Sequence, residues 1–342
     1  MKNVLAMLLA GAMVCTLTAG CSGKPSGAAS GGGGTTAGGD ETYTIKVGLI
    51  LTTDDPQSIM IQKMADNLKE TSDGRIDMQV YYNSELGSNA DLLETISRGA
   101  NTMVWLDPAA LSDYAPSYAA MYAPYTYDDP SQIQTIAYSE VGDAFYEEAA
   151  AAGLCAVNRM GAYFGTRHCL ANKVLATPAD FKGVNFRVPS TELWVKTFEA
   201  LGANPTNIAF SEAYSALSQG VADGIESPFA TLYANKFHEA VKELTLTQHF
   251  IAPNGLIMSQ EYFESMPEDL QTMLTDACMQ FNDEETKAQI DSDDTYKQKL
   301  IDEGVNIHEA DVEALTEACK DVPNKFTWGS TYYPQMLELL GK

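Results

Sequence analysis

Three linked pieces decide the fold: Asp180–Pro189 (DFKGVNFRVP), Leu201–Thr206 (LGANPT) and Ala209–Pro228 (AFSEAYSALSQGVADGIESP). Thr177, Pro178 and Asp180 make a compact helix start, with threonine as N-cap, proline at the first position and aspartate at the third. Gly183 ends that turn, and Val184–Val188 reads as a strand cut by Pro189. Thr191–Leu201 is predicted helical, with Leu193, Trp194, Phe198 and Leu201 mostly on one face. Ser211 is the expected cap of the next helix, which Gly220 stops, and Ala222–Glu226 is a short strand ahead of Ser227-Pro228. One cation stands out. Arg187 lies near the carboxyl end of a strand, where open α/β sheets place ligands.

Upstream, the alternating then apolar run Tyr43–Leu51 is a buried strand, followed by a helix from about Ser58 to Lys69. Arg75–Tyr82 is a second strand, a helix runs from about Ala90 to Arg98, and Thr102–Leu106 is a third strand. This β-α-β-α-β order predicts parallel pairing with helices on both faces. The Tyr- and Pro-rich run Tyr114–Pro130 reads as loop, because its prolines interrupt any long element. A helix is expected over Gln132–Ala152, then successive strands around Cys155 and Cys169. Thr231–Lys242 is predicted helical, with two strand-like pieces after it. Ser265–Glu268 is expected to be a capping box opening a long charged helix to about Glu303.

The chain has 342 residues and a formal net charge of −25, which argues against nucleic acid or an anionic membrane surface as partner. Its first residues combine a basic start, a short apolar run and a small-residue end, the pattern of a secretory signal over residues 1–20. The end of that run, Leu17-Thr18-Ala19-Gly20-Cys21, resembles a bacterial lipobox, so Cys21 is expected to carry lipid. Residues 21–40 are then a lipidated cysteine and a Gly/Ser tether too poor in apolar bulk to form a core. Cys155, Cys169, Cys278 and Cys319 have no C-x-x-C spacing, which disfavours a zinc site. Export permits disulfides. Cys155 and Cys169 are candidates to face each other on paired strands, with buried free thiols the alternative.

Catalytic signatures are missing: there is no G-x-S-x-G, S-x-x-K, H-E-x-x-H or glycine-rich phosphate loop. His238 and His308 lack a second histidine at helical spacing and read as solvated. No catalytic residue, metal or cofactor is expected. A binding role rests on Arg167 and Arg187, since a guanidinium fork holds a carboxylate through two parallel hydrogen bonds. Taken alone, an arginine at a strand end is more often a surface ion pair.

The combined pattern changes that weighting. D-x-K-G-x-x-x-R-x-P, L-G-A-x-P-T, F-S-E-x-Y-x-A-L and G-x-x-D-G-x-E-x-P occur in order between Asp180 and Pro228. This resembles the central signature of the DctP-type solute-binding subunits of tripartite ATP-independent periplasmic (TRAP) transporters. Gly74–Gly87, Leu92–Met103, Ser265–Gln271 and Leu300–Val305 resemble the same family, so the likeness spans nearly all of the mature domain.

The resemblance implies an α/β, periplasmic-binding-protein-like two-lobe fold with crossing hinge strands and a long inter-lobe helix. Lobe I would hold residues 41–164 and about 253–292, and lobe II residues 165–252 and about 293–342. It also implies capture of an organic acid, such as a sugar acid, dicarboxylate or keto acid, for delivery to the small and large TRAP membrane subunits. Arg187 maps onto the family's carboxylate anchor and Arg167 onto an assisting arginine. Phe210 would wall the cleft, while Trp105 and Asp107 end a strand where substrate-selective side chains lie. Asn89, just ahead of the second predicted helix, completes the candidate set. Ser227 is a departure, since the family has asparagine there. The protein is thus expected outside the cytoplasm, lipid-anchored to the cell membrane. A receptor presenting ligand to a membrane sensor kinase, and less readily a secreted enzyme, are the competing readings.

Overall fold

The computed structural model describes residues 41–342. The expected signal, Cys21 and tether lie outside the described residues. Among the described residues, ten strands form one sheet, ordered β2-β1-β3-β9-β5-β8-β6-β7, with β4 and β10 also pairing with β9. In chain order these are β1 (Tyr43–Gly48), β2 (Ile76–Tyr81), β3 (Thr102–Leu106), β4 (Leu154–Ala156), β5 (Ala162–Ala171), β6 (Asn185–Val188), β7 (Asn204–Asn207), β8 (Gly224–Ser227), β9 (Glu243–Ser259) and β10 (Asn306–Glu309). β1 pairs in parallel with β2 and β3, as the alternation of strand and helix requires. β6 likewise pairs in parallel with β7 and β8.

Two long strands join these parallel halves. The last residues of β9 run antiparallel to β3, from Met258 opposite Met103 to Gly255 opposite Leu106. Its earlier residues run antiparallel to β5, from Asn254 opposite Ala162 back to Glu243 opposite Ala171. Sequence reading split β9 into two pieces because Pro253 and the Asn254-Gly255 pair resemble a turn. The ladder carries all three residues. Pro253 lacks an N–H, yet it sits opposite Tyr163 beside an irregularity in the register.

That irregularity centres on Gly165, whose φ is +134°. A Cβ there would lie 2.6 Å from Pro228 Cβ and 3.2 Å from Gln289 Nε2, so only glycine lets β5, the segment after β8 and the long helix meet.

The 35-residue helix Glu268–Asp302, about 52 Å long at 1.5 Å per residue, packs on helix Pro56–Thr71, on β5 and on helix Phe229–Ala234. It therefore touches both halves. Its buried stripe begins apolar, with Leu270, Leu274, Cys278 and Phe281, and turns polar at Asn282, Glu285 and Gln289. The expected capping box does not form; Pro267 is the N-cap and Ser265 Oγ donates instead to the Tyr262 carbonyl at 2.6 Å. The Thr177 box does form, its backbone N–H and hydroxyl both donating to the Asp180 carboxylate at 2.7 Å.

Other expectations change in detail. The predicted helix over 132–152 is two, Ser131–Ala137 and Glu140–Ala151, because Ser139 caps the second by accepting from Gly142 N. The strands of Cys155 and Cys169 do not pair with each other: both pair with β9, opposite Met258 and Thr245 respectively. All four described cysteines are free and buried. No described helix is long and apolar enough to cross a membrane.

Replacing Gly165 by alanine is expected to destabilise the fold by about 1–3 kcal/mol through overpacking at a positive φ. Urea unfolding checks this, and an unchanged midpoint would mean that the junction has slack.

Candidate functional site

All seven residues singled out from the sequence line one cavity of about 590 Å³ including its mouth: Asn89, Trp105, Asp107, Arg167, Arg187, Phe210 and Ser227. The topology gathers them from both halves. Trp105 lies in β3 and Asp107 just after it, Arg187 lies near the end of β6, and Ser227 ends β8. Arg167 comes from β5, on the junction between them.

Arg187 is only 4% exposed. Its Nε–H donates to the Ile208 carbonyl at 2.9 Å, and its guanidinium lies 5.6 Å from the centre of the Phe210 ring. Among the described residues no carboxylate reaches it within ion-pair distance, and its terminal amino groups make no hydrogen bond. Burial lowers its pKa to about 10, with the Glu226 charge opposing and the Arg167 charge reinforcing that shift. It remains a cation at neutral pH. A buried guanidinium with four unused N–H donors facing a cavity is the chemistry of an anion site.

Arg167 is arranged differently. Its Nε and Nη2 grip Glu226 in a fork, the latter at 2.8 Å from Oε1, and Nη2 also donates to the Glu226 carbonyl at 3.3 Å. Nη1 reaches the Tyr122 hydroxyl at 3.4 Å, and the guanidinium lies over the Phe164 and Trp194 rings at 5.6 and 5.7 Å. Most of its donors are thus committed within the protein, where the sequence reading made it an assisting ligand group.

Glu226, fully buried, also accepts from Trp194 Nε1 at 3.0 Å and lies 3.3 Å from His249 Nε2. Burial pushes its carboxyl up, but the Arg167 charge and the hydrogen bonds from His249 and Arg167 outweigh it and hold the pKa at about 2. Nothing in the sequence marked Glu226 as this partner, because 59 residues separate it from Arg167.

The remaining wall is polar in an unusual way. Asp107 caps the short 3₁₀ turn Pro108–Leu111 by accepting from Ala110 N at 2.9 Å. Burial raises its pKa to about 6 against the lowering effect of Arg167. Asn89 Oδ1, Trp105 Nε1 and Asn254 Oδ1 are buried with no hydrogen-bond partner. Asn254, at the crossing of β9 and β5, is a lining residue that sequence reading missed. So is Thr231, which follows β8. His238 is also buried, stacked on Tyr233 at 5.3 Å, where a solvated residue was expected.

Residues 47–327 match the family model of the bacterial extracellular solute-binding proteins, family 7 (DctP). A solute-binding protein of Roseobacter denitrificans is 28% identical over 283 residues, covering 82% of this chain and 86% of its own. Its crystal structure, with bound L-galactonate, superposes with a TM-score of 0.80 at 26% identity, covering 88% of this chain and 99% of that one. A TRAP periplasmic solute-binding protein from Ochrobacterium anthropi with bound L-fuconate gives 0.84 at 30% identity, covering 87% and 99%. One from Fusobacterium nucleatum with bound sn-glycerol-3-phosphate gives 0.83 at 28% identity, covering 88% and 97%.

Removing Glu226 strands Arg167 as a buried cation. Glu226→Ala is expected to cost about 3–5 kcal/mol of folding stability. Urea titrations of the variant check this, and a loss below about 1 kcal/mol would contradict a structural role for the pair. Because the Glu226 pKa is depressed from 4.5, its contribution is fully present above that value and fades as the pH falls towards 2.

Proposed function

The chain belongs to the bacterial extracellular solute-binding proteins of family 7, and from that premise we propose that it captures a hydroxylated organic acid, holding one carboxylate on Arg187. The observation that carries this reading is the buried Arg187 guanidinium, with one of its five N–H donors used and no acid beside it. A ligand carboxylate in the fork would supply both the counter-charge and two charge-assisted hydrogen bonds. Phe210, stacked on the same guanidinium, would hold its plane in place.

The rest of the ligand is indicated by the unpartnered atoms. Asn89 Oδ1 and Asn254 Oδ1 are acceptors without donors, and Trp105 Nε1 is a donor without an acceptor. Hydroxyl groups supply both functions, whereas a second carboxylate supplies only acceptors. Asp107 adds to this preference, since a second ligand carboxylate near it would meet like charge. A sugar acid fits these demands better than a compact dicarboxylate. L-Fuconate and L-galactonate, bound in the two sugar-acid relatives, are the first probes to try.

The family membership supports delivery of that acid to TRAP membrane subunits, with the lobes divided near residues 164–165, 252–253 and 292–293 closing around it. The lipobox-like end of the leader supports attachment through lipid on Cys21. A single acyl chain binds a membrane only marginally, so stable attachment requires more than one.

Each charge-assisted hydrogen bond is worth about 1.5–3 kcal/mol, so Arg187→Ala should weaken the best-binding acid at least about a hundredfold. Isothermal titration of a sugar-acid panel checks this. Retention of wild-type affinity in Arg187→Ala would remove the anchor. For the lipid, Cys21→Ser should move the protein from the membrane fraction to the soluble extracytoplasmic fraction; unchanged membrane association would contradict attachment at Cys21.

A further inference from the structure

Beside the cavity, a hydrogen bond from Thr231 to Asp55 is among those that join the two halves of the molecule. Thr231, on helix Phe229–Ala234 after β8, lines the cavity and donates its hydroxyl to Asp55 Oδ2 at 3.1 Å. Asp55 belongs to the other half, between β1 and helix Pro56–Thr71, which it caps by accepting from Gln57 N at 3.2 Å. Asp55 is fully buried and, among the described residues, has no ion-pair partner.

A second carboxyl lies close by. Glu285, on the polar part of the long helix, is 1% exposed, and neither carboxyl oxygen has a hydrogen-bond partner within 3.5 Å, although the neighbouring Gln57 amide partly offsets the effect of burial. The Gln57 amide beside it spends its N–H groups on Gln289 Oε1 at 2.7 Å and the Phe164 carbonyl at 3.4 Å. Gln57 Oε1 is itself a buried acceptor without a donor. A carboxylic acid brings a proton to such a set, whereas a carboxylate brings only more acceptors.

The other charged or titratable groups around this pair do not neutralise it. They are Asp54 on the same loop, and Tyr296, Asp293 and Lys297 further along the long helix. Lys297 is the only cation in this set, and it forms no salt bridge with either carboxyl.

We propose that closure of the two halves around ligand takes up protons on Asp55 and Glu285, so that binding of the acid is linked to pH. This rests on the solute-capture reading above. Arg187 is almost wholly buried and the cavity walls come from both halves, so parting of the halves opens the way to the anchor. Parting breaks the Asp55–Thr231 bond and admits water to the pair. Burial raises Asp55 from 3.8 to about 7 and Glu285 from 4.5 to about 8 in this arrangement. Both carboxyls fall back towards their ordinary values once hydrated.

The sign follows: a carboxyl whose pKa is higher in the closed form favours closure at low pH, and the advantage fades as pH rises through the window between the two values. For Asp55 alone that is up to about tenfold in Kd per pH unit between about 4 and 7.

The test is calorimetric titration of the full-length protein with L-fuconate or L-galactonate in buffers of different ionisation enthalpy, which counts protons exchanged on binding. Wild-type protein at pH 6–7 should take up protons. Asp55→Asn and Glu285→Gln, which mimic the neutral acids, should each take up fewer and bind at least as tightly as wild type at pH 8. Asp107→Asn separates the cavity carboxyl from this pair. Binding without proton uptake overturns the proposal, as does uptake that survives in both Asp55→Asn and Glu285→Gln but disappears in Asp107→Asn. If no organic acid binds wild type, the capture reading fails first and the linkage falls with it.

Discussion

Two guanidiniums line one cavity, and the strongly acidic carboxylate of Glu226, behind its wall, pairs with only one of them; that imbalance organises the site. Glu226 satisfies Arg167 through a two-point fork and leaves Arg187 without an anion. Burying a charge is costly unless it is paired and hydrogen-bonded. One arginine is therefore committed to the architecture, while the other keeps four N–H donors without a partner at the cavity. Tyr122, Trp194 and Phe250 surround the first pair with ring centres 4.6–5.1 Å apart, which keeps water from competing for it.

The same cavity lies where the two halves of the sheet meet. β5 and β9 cross between the halves, and the long helix lies over the crossing with its buried stripe changing there from apolar to polar. One apolar core runs from the first half through β5 and β9 into the second, and beside it hydrogen bonds among Asp55, Gln57, Thr231 and Gln289 also link the halves. Such bonds exchange with water when a junction opens, unlike the apolar contacts beside them. Gly165 permits the close approach of three elements at that point.

Much of this was legible from residue order. The parallel β1–β2–β3 unit follows from its strand and helix periodicities. Arg187 was marked as the one cation near the carboxyl end of a strand cut by Pro189. Harder to read were features that depend on distant partners. Glu226 looks like any acid on a short strand until Arg167, 59 residues away, is laid beside it. Asn254 sits in what reads as a turn, because local chemistry cannot reveal that Pro253 and Gly255 continue one ladder. Cys155 and Cys169 are buried free thiols, not cross-strand neighbours, for the same reason: both strands pair with β9, opposite Met258 and Thr245, well apart along it. Local signals report turns and caps well, but they do not report which strand a chain returns to.

The central claim is that the cavity demands an anion because Arg187 is buried without one. The most direct measurement compares, by calorimetric titration, a sugar acid with the neutral alditol of the same hydroxyl configuration. Measurable binding is expected for the acid, with a loss of at least about a hundredfold for the alditol. Equal affinity for the two would contradict that claim.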